Sequence, residues 1–261
     1  MGAYTMKLPF VISLPHCSGE IPARIRTGIA LTREEMVDAV DVGTREIFGT
    51  LPAETVSCAK WSRLVVDLNR PPHQRDAKGP VALVDYHGRS VYSPDHIPDE
   101  REIAERLSTY YRPYHLQLEK AISNAHIKGL LDCHSLKSVG PPEAPDAGKK
   151  RKDIILGNNG GPDGEHNPRR GELTCPPTLL RFMKQIFETA GFSVSLNNPY
   201  AGGFIVSHYG PALAANDKIA LQIEINQDLY VDPETEKIIP GNAADVRSRI
   251  LKCLQAIGRA L

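Results

Sequence analysis

Apolar positions along this chain follow two rhythms, and the alternation between them predicts the architecture. Short runs rich in β-branched residues read as strands. They are Phe10 to Leu14, Arg63 to Arg70, Leu130 to Asp132, Asp153 to Asn158, Phe192 to Leu196 and Ile219 to Asn226. Longer stretches repeat at helical spacing. Ile103, Leu107, Tyr110, Tyr111, Tyr114, Leu118 and Ile122 place a helix from Glu100 to about Lys128, kinked at Pro113 and ended by Gly129. Leu179, Leu180, Met183, Ile186 and Phe187 give a second helix, Pro176 to Ala190. Val246, Ile250, Leu254 and Ile257 give a closing one, Ala243 to Leu261. Thr32 and Glu35 form a capping box for a helix to about Val40, and Asp41 is a candidate N-cap for a short piece over Arg45 to Phe48. Strands alternating with helices predict a three-layer α/β sandwich.

Polar residues gather where those strands end. Leu130-Leu131 runs into Asp132-Cys133-His134-Ser135, and Val11-Ile12-Ser13-Leu14-Pro15 runs into His16. Two strand ends that each carry a histidine suggest a shared metal, at the edge where open α/β sheets put their ligands. In the run from Arg63, alternation sets Asp67 and Asn69 on one face and Arg70 at the tip. Glu224, near the end of a core strand, is costly to bury without a partner. Two neutral imidazoles with one carboxylate make a catalytic zinc set that leaves a position for water. A nearby glutamate takes that water's proton, and an arginine steadies a carboxylate or a developing oxyanion. The Pro-, Gly- and Lys-rich stretch Ser138 to Lys152 reads as a mobile loop over the site, with Lys137 at its base. His73, His87 and His96 fit no compact ligand pattern and read as solvent-facing, and His115 reads as a core or supporting residue.

Composition narrows the class. The chain has 261 residues, enough for one large α/β domain or two small ones, and its hydrophobic and charged fractions, 41% and 24%, are those of an ordinary globular protein. Lys+Arg and Asp+Glu balance at 31 each, so no basic field exists to hold nucleic acid or an anionic membrane. No apolar run approaches the roughly 18 residues a spanning helix needs, and Met1 to Phe10 lacks the apolar core of a secretory signal. Cysteines 17, 58, 133, 175 and 253 are odd in number and form no CxxC pair, which argues against a disulfide framework and for a reducing cytoplasm. Cys17 and Cys133 each adjoin a key histidine, so a nucleophilic thiol competes with simple packing as their role.

The words quoted above occur together in one known family. Ser13-Leu14-Pro15-His16-Cys17-Ser18-Gly19 with Ile21-Pro22, Asp41-Val42-Gly43, and Arg63 through Asp67-Leu68-Asn69-Arg70-Pro71 resemble the N-formylglutamate amidohydrolase family. So do Tyr114-His115, Asp132-Cys133-His134-Ser135, Asp153 to Gly157, Gly202-Gly203 and Gln222-Ile223-Glu224-Ile225-Asn226 with Leu229-Tyr230, in family order from about residue 10 to 230. The resemblance implies a single catalytic domain over residues 1–261 with a zinc-carboxypeptidase-like fold, in which a mixed, mostly parallel sheet lies between helices. It implies hydrolysis of a small N-formyl (more generally N-acyl) amino acid, in the chemistry of histidine degradation, with one Zn2+ per chain or another divalent transition metal in its place. By position, His16, Asp41 and His134 resemble the metal ligands, with Glu20 as the rival third ligand. Glu224 resembles the general base and acid. Asn69 and Arg70 resemble the substrate-carboxylate and carbonyl binders, joined by Ser135 and Lys137. Asp132 resembles an orienter of His134. One departure bears on the substrate: Phe204 follows the paired glycines where relatives often carry histidine. A zinc peptidase or deacylase for another N-acyl amino acid, and a silent homologue that only binds a carboxylate, are the competing readings.

Overall fold

The computed structural model describes residues 7–261, so most of the reading of the N-terminal leader lies outside the described residues. Among the described residues six strands form one sheet: β1 (Leu8–Leu14), β2 (Ala53–Cys58), β3 (Gly129–Leu136), β4 (Ile154–Gly157), β5 (Val194–Leu196) and β6 (Ile219–Asn226). Their order is β2-β1-β3-β6-β4-β5. The first four run parallel, and β4 pairs antiparallel with β6 and parallel with β5, so the sheet is mixed and mostly parallel, as expected. β3 and β6 are buried along their whole length, which is why they read as near-continuous apolar runs.

The helices are α1 (Ala23–Arg26), α2 (Arg33–Val37), α3 (Thr44–Phe48), α4 (Glu100–Arg106), α5 (Arg112–Ile122), α6 (Pro177–Thr189), α7 (Phe204–Ala214) and α8 (Pro240–Ala260). Helices α3 and α6 pack on α8, and α8 lies on β1, while α5 covers β1 and β2 and α7 covers β3 and β6. The result is the predicted three-layer α/β/α sandwich. Among the described residues no helix is long and apolar enough to cross a membrane.

Several local expectations are corrected. The run Arg63 to Arg70 is not a strand. The partner of β1 on that side is β2, a half-buried edge strand whose mixed residues gave no clear alternation. The apolar residues of 63–70 split instead between two clusters. Val66 and Leu68 join the main core, while Leu64 and Val65 join a smaller one with Ile25, Ile29 and Tyr92. The long helix ends at Ile122, after a π-turn at Leu107–Tyr111 just before Pro113, and Gly129 opens β3 rather than closing a helix. β3 also runs further than expected, so His134 and Ser135 lie within the strand. Helix α2 stops at Val37, three residues short. Helix α7 falls where only a glycine-hinged loop was expected, and its apolar residues lie on most sides of the helix, which hides the helical period.

Candidate metal centre and active site

Three side chains from three separate segments meet at the C-terminal edge of the parallel strands. His16 follows β1, His134 lies in β3, and Asp41 sits in the loop before α3. All three are buried, and one donor atom from each falls within 4.8 Å of the others. The two Nδ1 atoms are 3.1 Å apart, and Asp41 Oδ2 lies 2.9 Å from His134 Nδ1 and 3.5 Å from His16 Nδ1. Asp41 does not cap α3, because Gly43 holds that position. Its backbone N–H donates to the His16 carbonyl at 3.0 Å, which brings the carboxylate to the histidines. Gly43 fixes the same loop: its φ is +82°, and an added Cβ would strike the ring of Tyr230. The Tyr230 hydroxyl in turn donates to the Val42 carbonyl at 2.9 Å.

The far side of each imidazole decides its tautomer. His16 Nε2 is 2.7 Å from Asp67 Oδ1, and His134 Nε2 is 2.9 Å from Asp132 Oδ2. An ionised carboxylate only accepts, so both Nε2 atoms carry hydrogen and the Nδ1 atoms are the ones turned toward Asp41, with His134 Nδ1 available to a metal once it gives up its second proton. Two imidazoles locked by carboxylates in this way are the usual support of metal-binding histidines. Asp132 accepts further from Ser13 Oγ at 2.7 Å and Asn69 Nδ2 at 2.9 Å, and Ser13 is bridged to Tyr114 at 2.9 Å. Asp67 accepts the Asn69 backbone N–H at 2.8 Å, a turn that replaces the expected strand. Two imidazoles and one carboxylate are a donor set that suits a divalent transition metal.

The same edge carries Glu224, the residue expected to act as acid and base. Glu224 is the ladder partner of His134 across β3 and β6, so the two rise on one face of the sheet. Burial pushes its carboxyl up to about 7, against the pull of His134. Gln222 Nε2 donates to Glu224 Oε1 at 2.9 Å. Burial also works against a charged His134, but the Asp132 and Asp41 carboxylates override it and hold its pKa well above the ordinary range. His16, Asp41, Asp67, His134, Gln222 and Glu224 line one cavity of about 410 Å³, with Asp132 buried behind it.

A family model described as N-formylglutamate amidohydrolase matches residues 8–231. The chain belongs to the N-formylglutamate amidohydrolase family. Curated relatives include an N-formylglutamate deformylase of Pseudomonas putida, 27% identical over 242 residues (88% of this chain, 84% of the relative). One from Pseudomonas aeruginosa is 26% identical over 272 residues (97% and 95%). Among solved structures, an N-formylglutamate amidohydrolase from Ralstonia eutropha JMP134 superimposes with a TM-score of 0.74 at 21% identity, covering 98% of this chain and 96% of that one. A gene product from Agrobacterium tumefaciens gives 0.70 at 21% identity (97% and 92%). At that identity these two structures speak to the fold.

For this member of the N-formylglutamate amidohydrolase family, the remaining expected residues fall as follows. Asn69 and Arg70 line the cavity. Arg70 is only loosely paired, 3.8 Å from Asp67 Oδ2 and 3.3 Å from the Tyr86 hydroxyl. Ser135 lines it too, but its hydroxyl donates to the Val42 carbonyl at 3.0 Å and so anchors the Asp41 loop. Lys137 is held by Asp38 at 2.6 Å and Glu236 at 3.4 Å. Glu20 is exposed and stands outside the cavity wall and the three-residue cluster. The loop Ser138 to Lys152 is pinned over the cavity by Glu143, which binds Lys78 Nζ at 2.7 Å and donates its backbone N–H to the Tyr86 carbonyl at 3.2 Å. Cys133 is fully buried, and burial pushes its thiol well up, with Asp132 and Glu224 adding to the effect. Such a thiol is a packing residue, not a nucleophile. His115 is the supporting residue expected: its ring bridges the Tyr209 hydroxyl at 2.9 Å and the Leu68 carbonyl at 3.0 Å.

Sequence reasoning missed two residues here. Alternation places Asp67 beside Asn69 on one face but does not show that it orients His16. Arg63 reads as the start of a strand and as part of a family word, with no role of its own. Its guanidinium contacts His16 Nδ1, lies 3.6 Å from Asp41 Oδ1 and stacks over Tyr86 at 5.3 Å. Its Nε is buried without a hydrogen-bond partner, so it has capacity to spare in the site. The signal for both lay in the spacing from Arg63 through Asp67 to Asn69, which only the folded turn could interpret.

Proposed function

We propose that this chain is a single catalytic domain that hydrolyses the amide of an N-formyl amino acid such as N-formyl-L-glutamate, releasing formate and the free amino acid. The observation that carries this reading is the pair of carboxylate-locked imidazoles presenting Nδ1 atoms beside Asp41, directly across the ladder from a buried Glu224. Family membership and the names of the curated relatives support the formyl substrate. Zinc suits two imidazoles and one carboxylate, and other divalent transition ions use the same donors. When bound, such an ion polarises a carbonyl and lowers the pKa of water toward about 7.

The chain's own groups do the rest. Glu224 accepts the proton of the attacking water and returns it to the departing amine nitrogen, so that carbon gains an oxygen as the C–N bond breaks. A carboxyl poised near 7 serves both directions. Arg63, against His16 and Asp41, offers positive charge where the carbonyl oxygen becomes negative. Its position supports that role better than Arg70 does, and Arg70 is left to hold a substrate carboxylate. Asn69 keeps Asp132 and hence His134 in orientation.

Metal analysis with formate release tests the reading. The protein is expected to carry about one metal ion per chain and to deformylate N-formyl-L-glutamate. Glu224→Gln is expected to keep the metal and lose about 10²- to 10⁴-fold in turnover. Undiminished turnover in that variant overturns the assignment.

A further inference from the structure

The cavity wall carries six Lys and Arg side chains, and most already have a carboxylate. Arg63 lies against Asp41, Lys78 against Glu143, and Lys137 against Asp38. Arg151 is gripped by both oxygens of Asp146 at 2.7 Å. Two guanidiniums remain. Arg70 has only its loose approach to Asp67, and Arg170, which is exposed, has no carboxylate within ion-pair distance among the described residues. The backbone at Arg170 is nonetheless fixed. Asn159, buried and in the left-handed region at φ 63°, donates its side-chain amide to the carbonyls of Arg170 at 2.7 Å and Glu172 at 3.0 Å. Asn159 is itself tied by its backbone N–H to the Ala201 carbonyl at 2.6 Å, on the same cavity wall. A buried asparagine in a conformation that costs energy is spent on holding a loop whose guanidinium is otherwise unengaged.

We propose that Arg170 is a specificity-determining residue that binds the side-chain carboxylate of an N-acyl dicarboxylic amino acid, while Arg70 takes the α-carboxylate. The assignment rests on the hydrolytic reading above and adds to it the residue that distinguishes a second carboxylate from a neutral side chain. One loosely paired guanidinium, Arg70, and one without a carboxylate, Arg170, in one cavity match two carboxylates, and a planar fork reads a carboxylate with geometry as well as charge. A neutral side chain would leave Arg170 without that partner.

The test is a ratio. kcat/KM is measured for N-formyl-L-glutamate and for N-formyl-L-glutamine, which is nearly isosteric and lacks the second charge. The wild type is expected to favour the glutamate substrate. Arg170→Ala is expected to lower the ratio about tenfold, the low end for a charge-assisted hydrogen bond because the residue is exposed, with the change in KM rather than kcat. Arg170→Lys is expected to recover part of the preference. A ratio unchanged in Arg170→Ala, or no wild-type preference for the charged substrate, overturns the assignment of Arg170 alone. Absence of wild-type turnover on every N-formyl amino acid overturns the hydrolytic reading as well.

Discussion

Gly203 gives the sharpest test of how the site is held. It precedes α7, and a Cβ added there would sit 2.6 Å from both Cγ and Oδ1 of Asn69 and nearer still to Nδ2. Ordinary contact begins at 3.4 Å, so the carboxamide would have to retreat by about 1 Å to clear its nearest atom, Nδ2. It is poorly free to do so. Nδ2 donates to Asp132 at 2.9 Å, Oδ1 accepts the Ile205 N–H at 2.8 Å, and the preceding carbonyl, of Leu68, is pinned by His115 at 3.0 Å. The displacement therefore passes to Asp132, which sets the tautomer and the tilt of His134. Overpacking of this kind costs about 1–3 kcal/mol in stability, and a shift near 1 Å in a catalytic frame costs about 10²-fold in rate. Gly203→Ala is expected to fold with a lowered melting temperature and to lose about 10²-fold in kcat/KM for N-formyl-L-glutamate. A double-mutant cycle isolates the cause, because Asn69→Ala removes the atoms that clash. Adding Gly203→Ala to Asn69→Ala should then cost almost nothing further. Full additivity of the two substitutions, or wild-type activity in Gly203→Ala, would refute the argument that Gly203 is there to leave room for Asn69.

Three further outcomes follow from the same geometry. Asp67→Asn and Asp132→Asn each replace an acceptor-only carboxylate by a neutral amide that can donate as well as accept and so no longer enforces an imidazole tautomer, and each is expected to weaken metal affinity by about 10- to 100-fold in chelator competition; unaltered affinity in both would exclude their orienting role. Activity is expected to rise with pH through about 7 as Glu224 ionises. In the metal-free protein the sign for stability is opposite: the folded carboxyl holds its proton more tightly than the unfolded one, at about 7 against 4.5, so its contribution is full at low pH and is lost as pH rises through that window. The loss amounts to about 3 kcal/mol, and denaturant unfolding of metal-free Glu224→Gln should lack that slope relative to wild type. Finally, a chelator is expected to abolish turnover while thiol alkylation leaves it intact, given the burial of Cys133 beside His134; the reverse pattern would restore a thiol nucleophile.

What was legible in the sequence was chemistry confined to short words at the ends of buried strands. His16, Asp132, His134 and Glu224 each follow or interrupt an apolar run, so their position at the sheet edge comes from local pattern alone. The partners of the surface cations were not legible. Lys137 finds Asp38, 99 residues away, and no local signal distinguishes it from a lysine waiting for a substrate. Arg63 and Asp67 failed for a different reason. Their segment has the composition of a strand, but its apolar residues are divided between two cores, and the backbone follows turns held by Ser62, Pro80 and Asp67 itself. β-propensity reports a fit to a half-buried surface, not a commitment to a ladder.

The choice of third ligand shows how the two kinds of information combine. The resemblance prefers Asp41, although it is 25 residues further on than His16 and looks like a cap, and leaves Glu20, four residues from His16, as the rival. The fold supports Asp41 through backbone carbonyls and hydroxyls outside the three-residue cluster. The His16 carbonyl accepts the Asp41 N–H, and Ser135 Oγ and the Tyr230 hydroxyl both donate to the Val42 carbonyl. The left-handed Gly43 then lets the chain turn away into α3 without a Cβ against Tyr230. Each tie sits within two residues of Asp41, and two of them come from β3 and from the turn after β6, so the loop is indexed to the same strands that carry His134 and Glu224. A carboxylate delivered this way has its position set by the sheet, whereas Glu20 is exposed at the start of a loop with only its backbone anchored, by Ser18 Oγ and the Ser62 N–H. Rigid indexing of this sort is what a metal site needs from its scaffold, and it accounts for why the more distant acid is the one at the centre.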